Sequence, residues 1–330
     1  MAFLYLLDQG AKVGKVGLRV KVQKEDVVIA EVPLIKLEGA LVYGNVSITT
    51  PLIAHLLRES IPVYYMDSRG RPRGQLRPTF TPHGELRRAQ TLARLDDGKC
   101  SSLCASVVWG KVNNQKVLLQ RHNRRKDIKR VGQVVEFLNQ CLEKLRDTAD
   151  VNEIRGMEGY SSAVYFSALR KLLPEDMGFL LRTRKPPKDA VNAMLSLGYS
   201  LLLNNILGAV ESVGLDPYQG YLHAHKYGKP SLALDLMEEW RPVVVDSLVL
   251  TLINRGAFKI SDFVMEEDSV RFEQDALRRF ISYYNEAVYR RFQHPERKAP
   301  VTYLEAFHIQ ARKLARFLLH GSPYRPMLIR

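Results

Sequence analysis

The segment YLHAHKYGKPSLALDLMEEW, from Tyr221 to Trp240, places carboxylates in an apolar run. Leu232, Ala233, Leu234, Leu236 and Met237 read as the start of a buried helix, yet Asp235 lies among them and Glu238 and Glu239 follow at once. Burying a carboxylate costs on the order of several kcal/mol unless a cation or a set of donors meets it. Asp235 and Glu238 are three residues apart and share a helix face. The favourable dipole at a helix start explains Glu238 and Glu239 but not Asp235. A buried salt bridge to a lysine or arginine would satisfy it, and so would a metal ion.

Two further groups lie within reach of such a site. His223 stands in a loop rich in glycine and proline, twelve residues before Asp235, with His225 two positions on. Upstream, EIRGMEGYSSAVYFSAL carries Glu158 between Met157 and Gly159, and Glu153 five residues earlier. Periodicity alone does not choose between Glu158 and Glu153, or between His223 and His225. The glycine after Glu158 would let a ligand or another backbone approach. Two or three carboxylates with one imidazole form a hard-oxygen site with one nitrogen. That set suits Mg²⁺ or Mn²⁺ better than zinc, and the histidine leans it toward Mn²⁺. Beside nucleic acid it points to phosphodiester chemistry.

The elements that must position these groups fall into two blocks. The first third reads as strands: Leu18–Gln23 alternates, and Val27–Val32, Ala40–Gly44 and Pro62–Asp67 follow. One helix interrupts them, with Thr50 as N-cap and Pro51 at its first position. Asp67–Gly74 reads as an arginine-rich turn, and RPTFTPHGE, Arg77–Glu85, as a passage between domains. Helical periodicity then dominates, over 86–97, 100–122, 127–147, 151–173, 188–213, 232–254, 273–292 and 302–320, with a short hairpin at Phe263–Phe272. The expected class is α+β: a β-rich, sandwich-like N-terminal domain over 1–84, then a larger all-α domain over 85–330.

A net charge of +14 points to a polyanionic partner, most simply nucleic acid. The basic residues cluster at Arg121–Arg130, at Arg182–Lys188 and over Arg69, Arg71, Arg73 and Arg77. Three cysteines, Cys100, Cys104 and Cys141, argue against a disulfide framework, and no zinc spacing surrounds them. No run approaches the ~20 apolar residues of a membrane span, and MAFLYLLDQG reads as a first strand rather than a signal peptide. A cytoplasmic protein without a membrane partner is expected.

Several of these stretches resemble one family. GLDPYQGYLHAHKYGKPSLALDLMEEWRPVVVDSLV is similar to the signature of the CRISPR-associated spacer integrases, the Cas-one family. GMEGYSSAVYF resembles the family's first acidic motif, RTRKPPKDAVNAMLSLGYSLL the helix between the motifs, and YGNVSITTPLIAHLLRESIPVYYMDSRGRPRGQL its β-domain segment. The resemblance runs in order along essentially the whole chain. It implies a β-sandwich-like domain followed by a helical domain, assembled as a homodimer. It implies Glu158, His223 and Glu238 as metal ligands, with Glu238 where some members carry aspartate, and Asp235 as the acid one turn before. It thereby selects Glu158 over Glu153 and His223 over His225. The implied activity is metal-dependent DNA cleavage and integration: a fragment's 3′-hydroxyl attacks a phosphodiester at the edge of a CRISPR repeat. The implied partners are DNA and the small Cas-two protein, a dimer bridging two dimers of the integrase. A transposon-type integrase, a DNA-binding scaffold without catalysis and, more remotely, an RNA-processing nuclease are the alternatives.

Overall fold

The structure is a computed structural model that describes residues 2–66, 72–76, 83–184, 186–224 and 226–329. Residues 67–71 of the expected turn, 77–82 of the expected passage, Lys185 and His225 lie outside the described residues. The chain divides into two compact units, Met1–Pro82 and His83–Arg330.

The first unit holds two four-stranded sheets. One has the order β1 (Ala2–Leu6), β5 (Leu37–Tyr43), β7 (Val63–Met66), β8 (Pro72–Leu76), and the other runs β4 (Val27–Pro33), β3 (Arg19–Lys24), β2 (Lys12–Val16), β6 (Ser47–Ile48). β1, β5 and β7 are mutually parallel, whereas β2, β3 and β4 form an antiparallel meander. Alternation explains the second sheet: Val20 and Val22 of β3 are buried, while Arg19 is exposed and Lys21 and Gln23 are only partly covered. The β3–β4 turn is made by Glu25 and Asp26, both at positive φ, as a two-residue hairpin connection requires. One core joins Leu6, Val42 and Val63 of the first sheet to Val13, Val20 and Val22 of the second. Leu52 and Leu56 of helix α1 (Thr50–Arg58) complete it. This helix starts one residue earlier than expected: Thr49 is the cap residue and Thr50 already helical.

The second unit is built on α2 (Gly84–Leu95), α3 (Asp97–Asn123), α4 (Lys129–Asp147), α5 (Val151–Leu172), α6 (Ala190–Val213), α7 (Ser231–Met237), α8 (Ser247–Asn254), α9 (Gln274–Tyr289) and α10 (Tyr303–His320). Side-chain caps explain several starts: Asp96, Asp150 and Asp189 accept backbone N–H bonds at α3, α5 and α6, and Thr302 with Glu305 forms a capping box at α10. α3 packs against α2, α4 and α5 and is buried on several faces. α6 is long and apolar enough to match a membrane span by length and composition, contrary to the expectation that no segment is. Its most apolar window is 72% buried inside the protein, as a core helix would be.

The larger helical unit also carries two short strand pairs: β9 (Phe263–Met265) pairs with β10 (Val270–Phe272), the hairpin expected there, and β11 (Arg291–Phe292) pairs with β12 (Val301–Thr302). A further expectation needs correction. The helix expected over 232–254 is broken. α7 ends at Met237, a turn covers 238–240, and a π-helical segment, Arg241–Asp246, leads into α8. Pro242 is the reason, since it offers no N–H to the carbonyl four residues back and its ring collides with that carbonyl.

Candidate metal centre

Glu158 lies on α5, His223 in the loop before α7, Asp235 inside α7 and Glu238 at its end. Asp235 organises the loop. Its Oδ2 accepts the backbone N–H groups of Tyr221 (2.6 Å) and Leu222 (3.0 Å). Its Oδ1 accepts the His223 N–H (2.9 Å) and faces His223 Nδ1 at 2.7 Å. An ionised carboxylate can only accept, so Nδ1 carries the proton and Nε2 keeps its lone pair in the neutral imidazole. That nitrogen lies 3.7 Å from Glu238 Oε1. Gly220 allows the loop to approach α7: a Cβ there would stand 2.6 Å from the Ser231 backbone and 2.8 Å from Asp235 Oδ2. Arg155, one turn before Glu158, donates to the carbonyls of Leu222 and Tyr221 and ties the loop to α5.

The carboxylates meet cations that the sequence reading did not single out. Lys111 of α3 extends its ammonium between Glu158, with which it hydrogen-bonds, and Glu238, 2.7 Å away. The lysine side chain is only 4% exposed. Arg241 lies 3.3 Å from Glu238 and stacks its guanidinium over the Tyr199 ring at 4.7 Å. Burial would raise the Glu238 carboxyl, but the charges of Arg241 and Lys111, reinforced by the nearby His223, outweigh it and bring its pKa from 4.5 down to about 2. The buried salt bridge considered for this helix therefore exists, made by Glu238. Asp235 is satisfied by backbone donors and His223 instead.

The residues passed over are also accounted for. Glu153 is a surface acid paired with Lys144 at 2.9 Å. Gly159 has open space where a Cβ would project, so the side of α5 beside Glu158 is uncrowded. Glu239 is not a surface residue: it is fully buried and accepts bonds from Gln310, Tyr324 and the Met327 N–H. Asp246 is buried between the hydroxyls of Tyr199 (2.5 Å) and Tyr165 (2.9 Å). Its burial outweighs those donors and the nearby arginines, and pushes its pKa up to about 6. Cys100 and Cys104 are buried and all three cysteines are free.

The donor set fits a divalent cation. As they stand, no three His, Cys, Asp or Glu side chains among the described residues are grouped to hold one ion. The cation position between Glu158 and Glu238 is filled by the Lys111 ammonium. Yet Glu238 Oε2 is fully buried and accepts no aligned hydrogen bond, despite its ionic contact with Lys111. That oxygen, a Glu158 oxygen and the free Nε2 of His223 are the oxygen-rich, single-nitrogen set that Mg²⁺ or Mn²⁺ accepts.

Comparison with known proteins bears on the whole chain. A family model described as "CRISPR associated protein Cas1" matches residues 4–286. The CRISPR-associated endonuclease Cas1 3 of Thermus thermophilus is 35% identical over 330 residues, spanning 99% of this chain and 97% of that protein. A casposase bound to integration product matches with a TM-score of 0.84 at 25% identity, covering 99% of this chain and 93% of that one. A chain of a Cas6-RT-Cas1–Cas2 complex matches with a TM-score of 0.82 at 25% identity. There the match takes in 98% of this chain, which spans only 36% of that longer one. With a β-rich unit before a larger helical unit, and with sequence likeness from end to end, the chain belongs to the CRISPR-associated Cas1 family.

Proposed function

We propose that this protein is a metal-dependent DNA endonuclease and integrase that inserts short DNA fragments into a CRISPR repeat array. The observation that carries the reading is that one cation, the Lys111 ammonium, bridges Glu158 and the buried Glu238, while His223 Nε2 lies 3.7 Å from the other oxygen of Glu238. Those three residues would hold Mg²⁺ or Mn²⁺. When bound, the ion would stabilise charge at the scissile phosphate and lower the pKa of the attacking hydroxyl. Asp235 holds the His223 proton on Nδ1 and so aims Nε2 at the site. Ser162 donates to Glu158 Oε1 at 3.2 Å and steadies that carboxylate. In strand transfer, a fragment's 3′-oxygen forms a new bond to phosphorus and the bond to the displaced 3′-oxygen of the repeat strand breaks. Water as the attacking group would give nicking at the same centre.

Relatives named as endonucleases and a matched chain from a complex with Cas2 support this reading, together with a Cas2 partner. The likeness to a casposase favours a second reading, an integrase of mobile elements. The curated relatives, at 30–35% identity, carry CRISPR names and favour the repeat array. A homodimer fits strand β4, which presents Val27, Val28 and Ile29 exposed on a sheet edge that a second copy would cover.

The test is a strand-transfer assay with Cas2, a fragment bearing free 3′ ends, and plasmids with and without the repeat. Insertion at the repeat edge, abolished by EDTA and by Glu158→Gln or Glu238→Gln, is the expected result. Insertion indifferent to the repeat would favour the mobile-element reading. Cleavage that survives chelation or either substitution would remove the metal centre from the mechanism.

A further inference from the structure

We infer that Lys111 is an internal cation that holds the metal position while the protein is metal-free, and that it thereby weakens the site's affinity for the ion. The inference rests on the metal-centre reading proposed above.

Lys111 is the group that bridges the two carboxylates. Its ammonium contacts Glu158 and Glu238 from α3, a third helix, with almost no exposure to solvent. Without a cation the buried Glu238 carboxylate would pay its desolvation uncompensated and repel the partly exposed Glu158, so a lysine here keeps the empty site folded. The same contacts make it a competitor. It takes an oxygen from each carboxylate, Glu158 Oε1 and Glu238 Oε2.

Charge counting gives the same direction. Glu158, Glu238 and Asp235 contribute three negative charges, and Lys111 and Arg241 two positive ones. These five groups together form a cluster that stands at −1. A divalent ion entering beside a fixed ammonium would make it +1, so binding requires the ammonium to withdraw, and withdrawal breaks two buried ionic contacts. A methylene-rich stem on α3 has the rotamer freedom to do this. Arg241 is less free, being stacked on Tyr199.

Mn²⁺ binding by calorimetry and thermal unfolding, on the full chain, separate competition from a purely structural ion pair. Lys111→Met keeps length without charge. Lys111→Gln keeps hydrogen-bond donors and is the second variant should the first fold poorly. In EDTA both variants are expected to melt below the wild type, and Mn²⁺ should raise their Tm more than it raises the wild type's. Their Mn²⁺ Kd should be at least tenfold tighter. Folded variants that bind Mn²⁺ with wild-type or weaker affinity would overturn the inference and leave the metal centre standing. If neither they nor the wild type shows saturable binding that Glu238→Gln abolishes, the metal centre itself fails, and the competition with it.

Discussion

Both oxygens of Asp235 are occupied, by three backbone N–H groups and the His223 imidazole. Its role follows from that: it shapes the loop and sets the tautomer, and it has no free oxygen for a second ion. Asp235→Asn replaces one acceptor oxygen by a donor that faces other donors. Mn²⁺ affinity and strand transfer should each fall about 10–100-fold, the usual cost of losing a partner behind a metal-binding histidine. Calorimetry checks the first and product gels the second. Asp246 makes a different, pH-dependent statement. Its pKa is raised by burial from 3.8 to about 6, so the folded chain holds the proton more tightly than the unfolded chain. The stabilisation is complete below the unfolded value and is lost as pH rises through the folded one, by roughly 3 kcal/mol in all. Asp246→Asn should therefore gain stability relative to the wild type between about pH 4 and pH 7, measured as urea midpoints; a constant difference across that range would refute the titration. At this scale the sequence showed the acids and the histidine but not their cations. Lys111 shares its helix with Lys99 and Lys116, and nothing in VVWGKVNNQ says which carboxylate it will reach. Glu158 was separable from Glu153 only through the family likeness, because a helix displays both acids equally well until its neighbours are known.

The elements explain why Glu238 and Glu239, adjacent in sequence, have opposite surroundings. The turn at 238–240 and the π-helical segment after it direct Glu238 to Lys111 and Arg241, and Glu239 to the C-terminal segment. Trp240, fully buried, packs edge-on against Phe307 at 4.8 Å and fixes the turn against α10. The chain after α10 then acts as a strap. Tyr324 Oη and the Met327 N–H bond Glu239, and Asn114 of α3 bonds Met327 and Ile329. Tyr324→Phe removes one donor from a buried acid and should cost about 1–3 kcal/mol. Removal of residues 322–330 leaves Glu239 and Asn114 short of several partners and should cost clearly more. Denaturant unfolding monitored by circular dichroism ranks the two, and equal losses would mean that the strap contributes little beyond the one hydroxyl. Helix positions were legible from apolar periodicity because most of these helices are amphipathic or fully buried. The break at 238–246 was signalled by Pro242 alone, which periodicity overrode. The strap was invisible, since nine irregular residues carry no period and their bonds are long-range.

At the scale of the molecule, the charge of +14 was the first pointer to DNA, but the dense cluster at Arg121–Arg130 is not uniform. Lys126 donates to the Leu172 carbonyl at 2.8 Å and to Asn254 at 3.2 Å, which makes it a tie between helices. Arg124 and Arg125, between α3 and α4, are exposed. A protein that neutralises phosphates releases condensed counterions, and each contact contributes about −0.9 to the slope of log K against log salt on duplex DNA. The double substitution Arg124→Ala with Arg125→Ala should therefore weaken binding to all duplex sequences alike. It should also make the slope shallower by about 2 if each arginine covers one phosphate. Lys126→Ala should instead lower Tm and leave the slope nearly unchanged. Fluorescence anisotropy over a KCl series, with melting curves on the same preparations, separates the two effects. An unchanged slope in the double variant would place the DNA on one of the other basic surfaces, and a changed slope in Lys126→Ala would mean that the tie is broken to bind phosphate.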